Sequence, residues 1–342
     1  MAPVINRPMV ITTSFAHTTA VRSAGEVVCS RAMQFMDATA VADALPYGQL
    51  VETLRDAFAD SIDVPLRAHH DVKVPGHSDA TLLLMPAWQQ GESIGVKIAT
   101  VFPDNSTHAL PAVFASYFLM NGNTGQPRAV LDGTELTVRR TACASALAST
   151  YLSRPDATQL LMVGTGNLAP HLIRAHATVR PIENVVVWGR RLDAARELAA
   201  HFEGDEFSVV PTEDLRAAVA KADVISCATL SAEPLIKGDW LTSGQHLDLV
   251  GAFKPDMREA DETAMRKSRL FVDTRAGALS EAGEVVQAIA LGAISATDIC
   301  GELSELCRGE IQGRSTDEDI TVFKSVGTAL EDLAAANLAV SH

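Results

Sequence analysis

The stretch Gln159-Leu-Leu-Met-Val-Gly164-Thr165-Gly166-Asn167-Leu168-Ala169, with Asn184-Val-Val-Val-Trp-Gly-Arg190-Arg191 after it, decides the fold. An apolar run ends in Gly-x-Gly-x-x-Ala, a helix-like segment covers residues 171–179, and a second apolar run ends in two arginines. Strand, tight turn, helix and strand in that order form the unit that binds a dinucleotide. Gly164 permits the sharp turn, Gly166 lets the backbone approach a pyrophosphate, and Ala169 lets the helix pack close to the sheet. The pyrophosphate then sits on the free N–H groups and positive dipole end of the helix. A glycine-rich turn alone can be just a turn; the strand on each side gives this one its weight.

Which dinucleotide is read at the end of the second strand. NAD enzymes place an Asp or Glu there to hold the ribose 2′-hydroxyl. Glu183 has roughly the right count but precedes the strand, and so lies at its wrong end. After the strand come Gly189, Arg190 and Arg191. Two guanidinium groups with no carboxylate suit a 2′-phosphate, because Arg offers planar, bidentate donors to phosphate oxygens. The alternatives are a solvated basic turn and an Asp193 that swings back. NADPH is therefore expected, with NADH used less well. Thr141, Thr165, Asn167 and Leu168, with Thr229, Val250 and Gly251 at later strand ends, are further candidates for contact with the dinucleotide.

Beyond Arg191 the alternation continues. Helices are predicted over 193–202 and 212–221, and strands over 207–210, 223–229, 245–251 and 269–273. This is a Rossmann-type doubly wound parallel sheet of the α/β class. Residues 38–45 and 47–59 read as helices, the second with Leu50, Leu54 and Phe58 on one face. Strand-like runs follow over 69–74, 81–86, 93–101, 112–121 and 128–131, with Asn121-Gly122-Asn123-Thr124-Gly125 as a turn. They belong to a second, α+β domain, and an Ala-rich helix over 137–152 leads out of it. The expected division is 33–138 with 313–342 for substrate binding and dimerisation, and 139–312 for the nucleotide. The stretch 319–339 starts strand-like and becomes a helix that returns to the first domain. Residues 1–32 lack periodicity and read as a poorly ordered extension or a start codon placed too early; no function is assigned to them.

The net charge of −14 and pI near 5.1 argue against nucleic acid as a partner. No run of 18 apolar residues occurs, so no membrane span is expected. Cys29, Cys143, Cys227, Cys300 and Cys307 are odd in number and include no Cys-x-x-Cys pair. They fit a reducing cytosol without a disulfide framework, and no metal site is expected.

In the first half, cations stand in unusual places. Lys97 alternates within the apolar run Ile94-Gly-Val-Lys-Ile-Ala99, where a lone lysine ordinarily faces solvent. Arg140 opens the Ala-rich helix, against the helix dipole, and that cost points to a task. Together the segments Val64-Pro-x-Arg67, Gly95-x-Lys97, Pro103-x-Asn105, Asp132-Gly-Thr-Glu-Leu-Thr-x-Arg-Arg140-Thr141, the Gly164 turn and Phe323-Lys-Ser-Val-Gly327 resemble the ornithine cyclodeaminase/mu-crystallin family. The likeness runs over residues 37–340. It implies a Rossmann domain beside a substrate domain that pairs with its twin in a homodimer. It also implies that Arg67, Lys97 and Arg140 grip a substrate α-carboxylate.

In that family the cyclodeaminase and alanine dehydrogenase branches carry a catalytic Asp two residues after the Val-Gly that ends a Rossmann strand. Here the run is Asp248-Leu-Val250-Gly251-Ala252-Phe253-Lys254-Pro255, and the position is Phe253. A phenyl ring takes no proton, so both chemistries lose their base. Asp248 sits within the strand and reads as a residue that orders backbone or a loop; Asp256 is a weaker substitute. The run instead looks like the branch that reduces Δ1-pyrroline-2-carboxylate and Δ1-piperideine-2-carboxylate. Ketimine reduction needs a clamped carboxylate and a flat ring beside the nicotinamide, with Phe253 as an apolar wall. Lys97, or a water it positions, is the candidate proton source. Met85 and Trp88 line the same pocket or simply pack the core. Two other readings stay open: ornithine cyclodeaminase with bound NAD, and a nucleotide-dependent binding protein of the mu-crystallin type.

Overall fold

The computed structural model describes residues 33–108 and 110–341; the extension read over 1–32, with Cys29, lies outside them. Six strands form a first sheet: β1 (Gln34–Met36), β2 (Ala68–Val72), β3 (Ala80–Gln89), β4 (Ser93–Val101), β5 (Val113–Asn121) and β6 (Pro127–Asp132). Their order is β1-β6-β5-β4-β3-β2, antiparallel except for β1, which lies parallel to β6. The second sheet has eight strands, all parallel: β7 (Gln159–Val163), β8 (Asn184–Trp188), β9 (Ser208–Thr212), β10 (Val224–Cys227), β11 (His246–Leu249), β12 (Arg269–Val272), β13 (Ile299–Glu302) and β14 (Thr321–Lys324). Their order is β13-β12-β14-β11-β10-β7-β8-β9. Strand order reverses beside β7, and a doubly wound sheet opens its binding crevice at the carboxyl ends of such strands.

The helices are α1 (Ala38–Ala44), α2 (Tyr47–Ala59), α3 (Gly133–Leu152), α4 (Ala169–Val179), α5 (Leu192–Ala200), α6 (Leu215–Val219), α7 (Glu262–Lys267), α8 (Arg275–Glu281), α9 (Gly283–Ala290), α10 (Leu303–Cys307) and α11 (Ala329–Val340). α2 buries Leu50, Val51, Leu54 and Phe58, the stripe expected of an amphipathic helix. α3 is covered on nearly every side, and its run of Ala, Ser and Cys lets neighbouring elements approach closely. Among the described residues no helix is long and apolar enough to cross a membrane, and Cys143, Cys227, Cys300 and Cys307 are free thiols.

Two expectations change. α3 starts at Gly133, where the Asp132 side chain accepts from the Glu135 N–H at 2.8 Å. Arg140 is thus two turns inside the helix, and a dipole penalty at the N-terminus does not single it out. The stretch 313–342 also does not return to the first sheet as one piece. β14 is inserted between β11 and β12, and only α11 crosses to pack against β3, β4 and β5. Four fully buried residues in a central strand give no alternation from which that insertion can be read.

Across the inner face of the first sheet, Met85, Lys97, Tyr117 and Leu131 stand opposite one another in register. The outer face carries Leu84, Trp88, Val96, Ile98 and Val130, all only partly covered, with Phe118 at 39% and Phe35 at 74% exposure. In the second sheet, Gly251 passes so close to the β10 side that a Cβ would lie 2.1 Å from the Thr229 nitrogen. Gly251→Ala should therefore cost about 1–3 kcal/mol and lower the melting temperature by several degrees. Thermal unfolding checks this; an unchanged melting temperature would mean that these two loops are not held in contact.

Candidate active site

The turn after β7 combines one required glycine with one that leaves open space. Gly164 has φ +122°, and a Cβ on it would lie 2.6 Å from the Ala228 carbonyl oxygen. The turn therefore requires glycine. Gly166 is different, because a Cβ there would meet nothing within 4 Å. The protein does not need glycine at that point; the open space is room for a ligand. Gly166 and Asn167 are exposed, Thr165 and Leu168 half-buried, and Ala169 fully buried at the start of α4. No side chain caps α4, and the N–H groups of Gly166, Asn167 and Leu168 in the turn before it make no hydrogen bond among the described residues. Gly189 gives way to the Thr165 methyl, which a Cβ would approach to 2.7 Å.

Arg190 and Arg191 follow β8 on the surface, and neither forms an ion pair among the described residues. Asp193 pairs with Arg196 at 2.9 Å along α5. Its carboxylate is thus paired within its own helix.

Glu259 ties the ends of β10 and β11 together. One oxygen accepts from the Thr229 N–H (2.6 Å) and hydroxyl (2.9 Å), the other from the N–H groups of Gly251 (2.8 Å) and Ala252 (3.3 Å). Lys324 on β14 donates to the Ala252 carbonyl at 2.5 Å and pairs with Glu284 at 3.1 Å. Burial pushes Glu259 up to about 7, against the pull of Lys324 and with help from Glu284. Val250 is buried between these loops, and Thr141 lies half-buried on α3. Asp248 is sealed beneath. It accepts from the Ser226 hydroxyl at 2.7 Å and faces His176 Nε2 at 3.3 Å, with no exposed surface. It ties α4 to the sheet through side chains, where the sequence alone has it order backbone or a loop.

Arg67, Lys97 and Arg140 converge on the segment from Gly327 to Asp332. Arg67 donates to the carbonyls of Gly327 (3.0 Å) and Val326 (3.3 Å) and pairs with Glu281 at 3.1 Å. Asp273 holds that turn in place by accepting from the N–H groups of Val326 (2.8 Å) and Gly327 (2.7 Å). Lys97 is 4% exposed and pairs with Asp332 at 2.8 Å; it faces inward, not to solvent. Arg140 binds Asp332 through Nε at 2.8 Å and Glu331 through Nη1. Burial, then Arg140, brings Lys97 down to about 8, while Asp332 opposes. Burial also pushes Glu331 up to about 7 against the pull of Arg140, with Asp273 and Asp332 adding to the rise.

A cleft of about 830 Å³ opens beside this cluster, between the loop after α2 and the ends of β12 and β14. Arg67, Met85, Thr274, Glu281 and Gly327 line it. Lys97, Arg140, Trp88 and Phe253 do not; Phe253 is 36% exposed on the loop after β11, with the Lys254 ammonium 6.0 Å from its ring centre. Sequence reasoning missed every carboxylate of the cluster. The one available signal was Glu331-Asp332 within the otherwise apolar Ala329-Leu-Glu-Asp-Leu-Ala-Ala-Ala336.

A profile of the ornithine cyclodeaminase/mu-crystallin family matches residues 31–341. The chain belongs to this family. It is 39% identical to the Δ1-pyrroline-2-carboxylate reductase of Colwellia psychrerythraea, over 90% of this chain and 98% of that one. It is 35% identical to the ketimine reductase mu-crystallin of Rattus norvegicus, over 75% and 78% of the two chains. Among solved structures, the Thermococcus litoralis Δ1-pyrroline-2-carboxylate reductase with NADH and L-proline superposes with a TM-score of 0.85 at 33% identity, over 90% and 97% of the two chains.

Glu331 gives a pH signature of stability. Its value is raised in the folded protein, from 4.5 to about 7. The stability it contributes is therefore full below the lower value and lost as pH rises through the upper one. Glu331→Gln lacks this loss, so the melting temperature of the variant minus that of the unmutated protein should climb between about pH 5 and about pH 8. A flat difference across that range would mean that Glu331 does not titrate there.

Proposed function

We propose that this protein reduces cyclic ketimines with NADPH, converting Δ1-pyrroline-2-carboxylate to L-proline and Δ1-piperideine-2-carboxylate to L-pipecolate. It is an oxidoreductase acting on a C=N bond, and the Colwellia relative of that name spans nine-tenths of this chain. The observation that carries the reading is that Arg67 and Arg140 meet at Gly327, after β14, with Lys97 joined to Arg140 through Asp332, and with no acid at position 253.

When bound, the nicotinamide supplies a hydride to C2 of the ring. The chain's own residues do the rest. Arg67, Lys97 and Arg140 orient the carboxylate, and holding one geometry is worth more here than a strong base. Lys97 titrates at about 8, so it is largely protonated at neutral pH and suited to give the ring nitrogen its proton. Phe253 is assigned to the hydrocarbon edge of the ring. The dinucleotide lies along Gly164–Leu168, with Thr141, Thr229, Val250 and Gly251 beside it and its 2′-phosphate on Arg190 and Arg191. The partly covered outer face of the first sheet, with Phe35 and Phe118, suits pairing with a second copy as a homodimer. The unpaired thiols and the cofactor fit the cytoplasm.

The test is NADPH oxidation with each cyclic imine, beside ornithine with ammonia detection. Imine reduction with no ammonia above background is expected. Proline formed from ornithine at a comparable rate would replace the reductase with the lyase. NADPH bound without turnover of any imine would favour the binding protein.

The cofactor assignment has its own check. Arg190→Ala should weaken NADPH selectively, by about 1.5–3 kcal/mol for each charge-assisted bond lost. If the unmutated protein shows equal kcat/KM with NADPH and NADH, the 2′-phosphate role is wrong.

A further inference from the structure

Lys97 and Arg140 come from β4 and α3, and both meet one carboxylate on α11. Asp332 Oδ1 accepts from Arg140 Nε at 2.8 Å and from Lys97 Nζ at 3.0 Å, while Oδ2 lies 2.8 Å from the same ammonium. Glu331 takes Nη1 of Arg140. Nη2 makes no hydrogen bond among the described residues and lies beside Gly327, where a Cβ would come within 3.2 Å. Any side chain at position 327 would cover the guanidinium edge that remains for a ligand.

We propose that Asp332 is the positioning residue of the carboxylate clamp, bridging Lys97 and Arg140 so that they meet the substrate's carboxylate as one fixed pair. The proposal rests on the ketimine reading for its substrate, and on geometry for its mechanism. Two like charges side by side in a buried site repel, and an anion shared between them sets both their distance and their protonation. The groups facing Lys97 are few. Arg140 comes from α3, Glu331 and Asp332 from α11, and Tyr117 stands directly opposite on β5. Met85 on β3 is apolar. The Tyr117 hydroxyl is buried without a hydrogen bond among the described residues, in room that Gly95 leaves: a Cβ there would lie 1.8 Å from it. Tyr117 is uncharged in this range, because burial and the charge of Asp332 hold its proton on. Asp332 and Glu331 are thus the carboxyl groups in the set, and only Asp332 touches both cations.

The experiment is Asp332→Asn in the full chain. The KM for the cyclic imine should rise at least about tenfold, with NADPH affinity unchanged. The alkaline fall of kcat/KM, set by Lys97 near 8 in the unmutated protein, should move to lower pH by about one unit, because one compensating charge is gone. A merely structural Asp332 would leave that limb where it is, and an unmoved limb in folded Asp332→Asn overturns the proposal. Isotope-edited NMR of the lysine side chains, with Lys97 assigned through Lys97→Arg, reads the same titration without turnover. If no cyclic imine is reduced, the functional reading fails, while the NMR titration still decides the role of Asp332. Should Asp332→Asn not fold, Asp332→Glu keeps the charge and displaces it by one methylene. A raised KM with an unmoved alkaline limb is then expected, and an unchanged KM would reject the proposal.

Discussion

Taking an ammonium and a guanidinium out of water costs several kcal/mol for each ion, and only a close, hydrogen-bonded counter-charge offsets it. Lys97 and Arg140 are each 4% exposed, Lys97 on a strand of otherwise apolar and small side chains and Arg140 just before the Ala- and Ser-rich run of α3. Their burial is tolerable because α11 brings Glu331 and Asp332, both fully covered, to meet them. The path of the chain follows from this. β14 ends in the second sheet, Gly327 turns beside the Arg140 guanidinium, and α11 carries its acids under the first sheet. The clamp and the joint between the two sheets are one set of contacts.

A second buried carboxylate organises the nucleotide side in a related way. Glu259 spends both oxygens on backbone and hydroxyl donors of two loops, and Lys324 and Glu284 hold it in balance. The loops that close over the strand ends are therefore anchored to one side chain from below. They also pack directly on each other, Gly251 against the backbone of Thr229.

Legibility followed the range of the interactions. The turn at Gly164 is local, and its glycines, strands and following helix read correctly from residues 159–191. So did α2, whose apolar stripe has a helical period, and β4, whose bounds match the expected run. Arg67, Lys97 and Arg140 were found through their likeness to a family, since each taken singly has an ordinary surface explanation. What stayed hidden is non-local. Asp332 lies 235 residues from Lys97, and Asp273 holds a turn more than fifty residues ahead of it. β14 enters the sheet between strands made much earlier in the chain. No periodicity encodes such pairings; they exist only once the sheet is assembled.

That separation also sets an order of events during synthesis. At roughly 5–20 residues per second, Lys97 emerges roughly 10–50 s before the residue that neutralises it. Through that interval, drying the inner face of the first sheet around Met85, Tyr117 and Leu131 would strand two cations without their counter-charges. The helix that carries Asp332 is the one that removes this cost. Until it is made, the two unpaired cations stand as a barrier to premature collapse.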